Sequence, residues 1–212
     1  MSDDPDNPLS PSRKGRLRPH SGPKHIATRP LPLTLWDAPL SRICEVQFDP
    51  LYFGKGGENR FDAPRGEYGI LYAADTAECA FVETCIWNHK PTGSRHLTTN
   101  FLEERKLTEV SFATSLRLVD LTGPGLALLK ADSRLTTGSY RLSQSWAREF
   151  WRHPDSPDGI LYRSRLNPSL YCVAVFDRAE AGAAWVDHGP LYDARHQDFL
   201  REMLDRYEIA LL

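Results

Sequence analysis

The sequence predicts an α+β fold, and three observations carry this. Short runs such as "SRICEV", "GILYA" and "LYCVAVF" are β-branched or apolar enough for strands. One segment, Tyr140 to Arg152, places Leu142, Trp146 and Phe150 at i, i+4 and i+8, the period of an amphipathic helix. The strands and helices do not alternate in the regular βαβ order of a doubly wound sheet.

The elements follow in chain order. Residues 1–32 are rich in Pro, Ser, Asp, Arg and Lys and poor in large apolar side chains, which predicts a flexible or surface-lying tail. The folded domain, 33–212, begins near Leu33-Thr34-Leu35-Trp36. Ser41 to Val46 alternates as a strand does. Gly54 to Gly69 is a long loop with five glycines and one proline. Gly69 to Ala73 is a buried strand. Asp75, with Glu78 three residues on, has the form of a capping box and opens a helix expected to reach about His89, before Pro91. Leu107 to Phe112 and Leu116 to Thr122 are strands about a short turn, and a short helix follows Gly123-Pro124. After the Tyr140–Arg152 helix, "PDSPDG" is a turn, and Gly159 to Ser164 and Leu170 to Phe176 are strands. "AAWVDH" gives a last strand, and Phe199, Met203, Leu204 and Tyr207 mark a C-terminal helix.

Composition bounds the function. The 212 residues, 41% hydrophobic and 25% charged, suit a single domain with a real core. The net charge of −2 gives no basic excess for phosphate backbones, so direct nucleic-acid binding is not expected. The one basic cluster is Arg13-Lys14-Gly15-Arg16-Leu17-Arg18. Cys44, Cys79, Cys85 and Cys172 sit among apolar residues with no Cys-x-x-Cys pair, which predicts buried free thiols in a reducing compartment. No stretch approaches the ~20 apolar residues of a membrane span, and no apolar signal segment opens the chain. A cytoplasmic protein without a membrane is expected. The glycine patterns of dinucleotide folds and P-loops are absent, as is a metal-binding histidine motif, and no cofactor is predicted.

One residue stands out. Glu83 lies in the middle of a segment, Ala77 to Trp87, that is apolar nearly all round a helix axis. An unpaired buried carboxylate costs several kcal/mol or takes up a proton. Composition leaves two readings open: a wet helix edge, or a carboxylate facing a cleft and its partners. Candidate partners are Arg42 in the first strand and Arg60 beside the glycines of the long loop, where a guanidinium and backbone N–H groups suit an anion. Tyr72 ends the buried strand. Ser164, bracketed by Arg163 and Arg165, ends a later one. By themselves these four are ordinary: two surface charges, a core aromatic and a turn residue.

Taken in order, "SRICEV", a Gly-Gly loop with "NRFD", "GILYAADTAECAFVET", then "DGILYRSR" followed by "VAVF" resemble the RES domain family over Trp36 to Asp177. Position by position, Arg60, Glu83 and Ser164 match the arginine, glutamate and serine of the family's name. Arg42 matches a second arginine, and Tyr72 a tyrosine eleven residues before the glutamate. The chain departs from many members at Phe61-Asp62, where they carry Trp-Asn, and Glu58-Asn59 separate Gly57 from Arg60. The resemblance implies a split β-sheet core like that of ADP-ribosyltransferases, with flanking helices and NAD held in a cleft. It implies the toxin of a bacterial toxin–antitoxin pair that consumes NAD and is neutralised by a helix-turn-helix antitoxin. The reaction it implies is phosphorolysis, NAD and phosphate giving nicotinamide and ADP-ribose phosphate. Alternatives are transfer of ADP-ribose to a protein and NAD binding without turnover. It implies catalytic roles for Glu83, Arg60 and Ser164, and NAD contacts for Arg42, Tyr72, Arg60 and Ser164, with NAD as substrate rather than cofactor.

Overall fold

A computed structural model describes residues 26–86 and 95–212. The α+β class holds. One mixed sheet of eight strands carries helices on one face, and a two-stranded sheet stands beside it.

In chain order the elements are β1 (Leu33–Trp36), β2 (Leu40–Glu45), β3 (Ile70–Ala74), α1 (Ala77–Phe81) with a π-helical turn over Val82–Ile86, β4 (Arg95–Leu97) and α2 (Thr99–Glu103). Then come β5 (Arg105–Phe112), β6 (Leu116–Asp120), α3 (Gly125–Leu128), α4 (Arg134–Thr137), α5 (Tyr140–Arg152), β7 (Gly159–Arg163), β8 (Tyr171–Phe176), β9 (Ala183–Pro190), α6 (Gln197–Arg206) and β10 (Ile209–Leu211). The order across the large sheet is β1-β6-β7-β8-β3-β2-β5-β9. Every pair is antiparallel except β6 with β7, whose connection contains α3, α4 and α5.

The sheet is split. β3 pairs with β8 over five residues, and β2 pairs with β5 over six. Between β2 and β3 only Ser41 and Ala74 are paired. The two halves diverge from that point, and the site lies in the gap.

Period-two alternation sorts the side chains. On β3, β7 and β8, Ile70, Tyr72, Ala74, Ile160, Tyr162, Cys172, Ala174 and Phe176 point to the helical face. Leu71, Ala73, Leu161, Val173 and Val175 point to the other, under Phe53, Leu51 and Trp36. Two clusters share the helical face. Trp146, Ala147 and Phe150 of α5 close one, with Phe61 and Tyr68. Cys79, Phe81 and Val82 of the first helical segment close the other, with Leu200 and Met203 of α6. Tyr162 packs against both.

The strand-rich centre tolerates no added bulk at Gly159. A β-carbon there would lie 2.4 Å from the Ala174 carbonyl oxygen and 3.1 Å from the Val175 Cα. Gly159→Ala is expected to lower the urea midpoint by an amount equivalent to about 1–3 kcal/mol, with the m-value unchanged.

Two sequence expectations change here. Residues Ile26 to Pro32, read as tail, pack onto the domain: Ile26 and Leu31 are buried in the α5 cluster. The His153 ring meets the Ile26 and Arg29 carbonyls at 3.2 and 3.0 Å, and Asp155 accepts from the Leu31 N–H. Two apolar anchors and these bonds hold a segment whose composition is that of a linker. Residues 1–25 lie outside the described residues, as does the predicted stretch of the first helix beyond Ile86. That helix is capped by Thr76, whose hydroxyl accepts from the Cys79 N–H at 3.2 Å, not by Asp75. Glu78 turns away from the cap to meet Tyr207 Oη at 2.7 Å and Arg206 at 2.8 Å, tying α1 to the end of α6. These donors hold its carboxyl below the ordinary range despite some desolvation. All four cysteines are free, three of them buried and Cys44 half-buried.

Candidate functional site

The sheet split opens into a cleft of about 220 Å³. Four of the five site residues expected from sequence line it: Arg42 from β2, Arg60 from the long loop, Tyr72 from β3 and Glu83 from the π-helical turn. The fifth, Ser164, does not line it. Ser164 is 2% exposed and stands behind Glu83.

Glu83 is half-buried and faces the cleft, so the wet-edge reading falls. Its Oε1 accepts from the Ser164 hydroxyl at 2.5 Å, a short hydrogen bond of the charge-assisted kind. Ser164 Oγ itself accepts from the Leu166 and Asn167 N–H groups, both at 3.2 Å. A hydroxyl has one donor and two acceptor sites, and all three are used. The serine therefore holds the glutamate and has no hydrogen-bonding capacity left for a ligand. The helix carrying Glu83 widens to a π turn at this residue, a local geometry that recurs at functional sites.

Two arginines share the cleft. Arg42 donates through Nη1 to the Tyr72 carbonyl at 2.7 Å, spanning the gap where the β2–β3 ladder has stopped. Its Nε is buried with no hydrogen-bond partner. Arg60 is only 7% exposed. Its Nη1 donates to the Gly138 carbonyl at 3.0 Å and to Ser143 Oγ at 3.3 Å, and its guanidinium lies 4.7 Å from the Tyr140 ring centroid. Its Nη2 is buried and unpartnered. Burial lowers the pKa of both guanidiniums, and for Arg60 the nearby charge of Arg165 acts in the same direction. Both remain cationic at neutral pH. Buried N–H groups of a cation without acceptors are costly.

Tyr72 is held at its tip. Its hydroxyl donates to Asp62 Oδ1 at 2.9 Å and accepts from the Phe61 N–H at 2.9 Å. Burial first, then the Asp62 charge, raise its pKa well above the phenol range, so it stays protonated. Only its ring remains to meet a ligand.

Sequence reasoning missed Tyr140, Tyr162 and Arg165, which complete the walls. Tyr162 carried a usable signal, since it shares the face of Ile160 by strand alternation. Arg165 stands out in the sequence only as a neighbour of Ser164. Tyr140 begins α5 and reaches the cleft through a fold contact that no local pattern announces. Among the described residues no group of His, Cys, Asp and Glu is arranged to hold a metal, and no helix is long and apolar enough to cross a membrane.

Comparisons with known proteins agree with this architecture. Over 112 residues the chain is 32% identical to "Probable toxin y4kH" of Sinorhizobium fredii, covering 52% of this chain and 86% of that protein. Its fold is similar to a chain in the crystal structure of the M. tuberculosis MbcT-MbcA toxin-antitoxin complex, with a TM-score of 0.55 and 19% identity, covering 76% of this chain and 89% of that one. The model of the RES domain matches residues 34–201, most of the described fold and all five residues considered above. The chain belongs to the RES domain family.

Proposed function

We propose that this protein is the toxin of a toxin–antitoxin pair and that it cleaves the nicotinamide–ribose bond of NAD, with phosphate as acceptor. The observation that carries the reading is the charge layout of one cleft. A serine-held carboxylate and two buried arginines, each with an N–H lacking a partner, line the same cleft. NAD offers the complement, a ribose that becomes cationic and a diphosphate that is anionic.

Breaking the C1′–N bond sends its electron pair to the nicotinamide nitrogen, which leaves neutral. No general acid is needed for it. The ribose develops oxocarbenium character, and Glu83 stabilises that charge or holds a ribose hydroxyl through the oxygen not engaged by Ser164. A phosphate oxygen then forms the new C1′–O bond, giving ADP-ribose phosphate. Arg60 and Arg42 neutralise the diphosphate or the incoming phosphate. The Tyr72 ring supplies a flat wall for nicotinamide. Ser164 acts by orienting Glu83, which revises the direct NAD contact expected from sequence. The partner in this reading is an antitoxin with a helix-turn-helix domain, and the site of action is the cytoplasm.

Purified protein incubated with NAD and phosphate is expected to release nicotinamide and yield ADP-ribose phosphate, both followed by chromatography and mass spectrometry. Intact NAD after long incubation would falsify the reading. Free ADP-ribose would make water the acceptor, and ADP-ribose on protein from induced cells would make it a transferase.

A further inference from the structure

Asp62 is 2% exposed, yet it plays no part in the chemistry above. Its carboxylate is satisfied by three neutral donors. Oδ2 accepts from the backbone N–H of Asn59 at 2.9 Å and from its side-chain amide at 3.2 Å. Oδ1 accepts from the Tyr72 hydroxyl, and that hydroxyl in turn accepts from the Phe61 N–H. These bonds close a ring, Asn59 to Asp62 to Tyr72 to Phe61. The residue enclosed between its two backbone attachments is Arg60.

Other bonds tie the ring to the scaffold. Gln144 of α5 donates to the Asn59 and Gly57 carbonyls, both at 2.9 Å. Tyr68 Oη donates to the Phe61 carbonyl at 3.0 Å. The backbone on each side of Arg60 is therefore fixed to β3 and to α5, although Arg60 sits in a loop with glycines on both sides. A loop of that composition would otherwise sample many conformations and spread the guanidinium over them.

We propose that Asp62 and the Tyr72 hydroxyl are positioning residues for Arg60: they clamp the backbone on either side of it so that its guanidinium is held at the wall of the cleft. The inference rests on the reading that the cleft takes the diphosphate of NAD. It assigns the hydroxyl of Tyr72 to the loop and leaves its ring to the ligand.

The test uses inorganic pyrophosphate as probe, with affinity measured by calorimetry, alongside KM and kcat for NAD. Tyr72→Phe removes the hydroxyl and keeps the ring. It is expected to weaken pyrophosphate binding and raise KM by roughly tenfold or more, the scale of a hydrogen bond to a charged group. Asp62→Ala is expected to do the same, and Tyr72→Phe keeps the test open should Asp62→Ala fail to fold. In an Arg60→Ala background, Tyr72→Phe is expected to change pyrophosphate affinity less than about twofold, because the two act through one group. Multiplying losses would place the hydroxyl on the ligand and overturn the proposal. A lowered melting temperature with unchanged affinity would reduce the clamp to a structural role and overturn it as well. If wild type leaves NAD intact but the pyrophosphate cycle behaves as stated, the NAD reading falls and the clamp stands.

Discussion

Glu83→Gln is expected to keep the fold and the affinity for NAD while slowing nicotinamide release by about 10²–10³-fold. Glutamine has the shape of glutamate, and its carbonyl oxygen can still accept from Ser164 Oγ, which now meets Oε1 at 2.5 Å. What disappears is the negative charge. In the ground state NAD already carries a cationic nicotinamide ring, so part of the attraction is present before reaction. In the transition state the positive charge moves onto the ribose, and a fixed carboxylate in a partly desolvated cleft stabilises it more. Loss of such a group typically removes about 3–4 kcal/mol of transition-state stabilisation. Loss of one neutral hydrogen bond removes only about 1 kcal/mol. The charge term therefore decides the outcome, and it appears in kcat rather than KM. Nicotinamide release under saturating NAD, with NAD affinity measured separately, checks this. Equal rates for both proteins, or a loss confined to KM, would sink the assignment of Glu83.

How much of this was legible in the sequence depends on whether a contact is local. The limits of α5, Tyr140–Arg152, and the strands about Ile43, Val173 and Ile160 follow from periodicity, because each buries a face whose spacing is written in consecutive residues. The turn after Phe81 is different. A helical wheel assumes one period throughout, and the widening to a π turn at Val82–Ile86 re-aims Glu83 without changing any residue type. The cap failed for a similar reason. Asp75 and Thr76 are both good caps, and only the approach of Tyr207 and Arg206 draws Glu78 out of the capping box. β1, β4 and β10 are short and exist through pairing with distant strands, so no local pattern marks them as ladders. Four of the five residues expected from sequence line one cleft, and the fifth, Ser164, lies behind Glu83. Ser164 bonds Glu83 and two backbone N–H groups, and Asp62, which stands where many members carry asparagine, accepts from Asn59 and Tyr72. Neither set of hydrogen bonds is visible in a sequence.

Ser164→Ala is expected to reduce turnover by about 10²-fold while lowering stability by only about 1 kcal/mol. The substitution removes one donor to Glu83 and one acceptor for two backbone N–H groups. Leu166 is exposed and Asn167 half-buried, so water can replace the hydroxyl at those N–H groups, which keeps the folding term small. A loss of that size against the 5–15 kcal/mol of an ordinary domain leaves the protein folded. The glutamate suffers more. Released from a 2.5 Å bond, its carboxylate gains rotamers and spends less time aimed at the ribose, and a displacement of about 1 Å can cost about 10²-fold in rate. Ser164→Thr keeps the hydroxyl and should recover part of the rate wherever its methyl group fits. The decisive comparison adds Ser164→Ala to Glu83→Gln. If the serine works only by holding the glutamate, the double variant is no slower than Glu83→Gln alone, since a support for an absent charge supports nothing. If instead the two losses multiply, Ser164 touches NAD or phosphate in its own right. Its three hydrogen bonds must then rearrange when substrate enters, and the carboxylate would be oriented by the π turn alone.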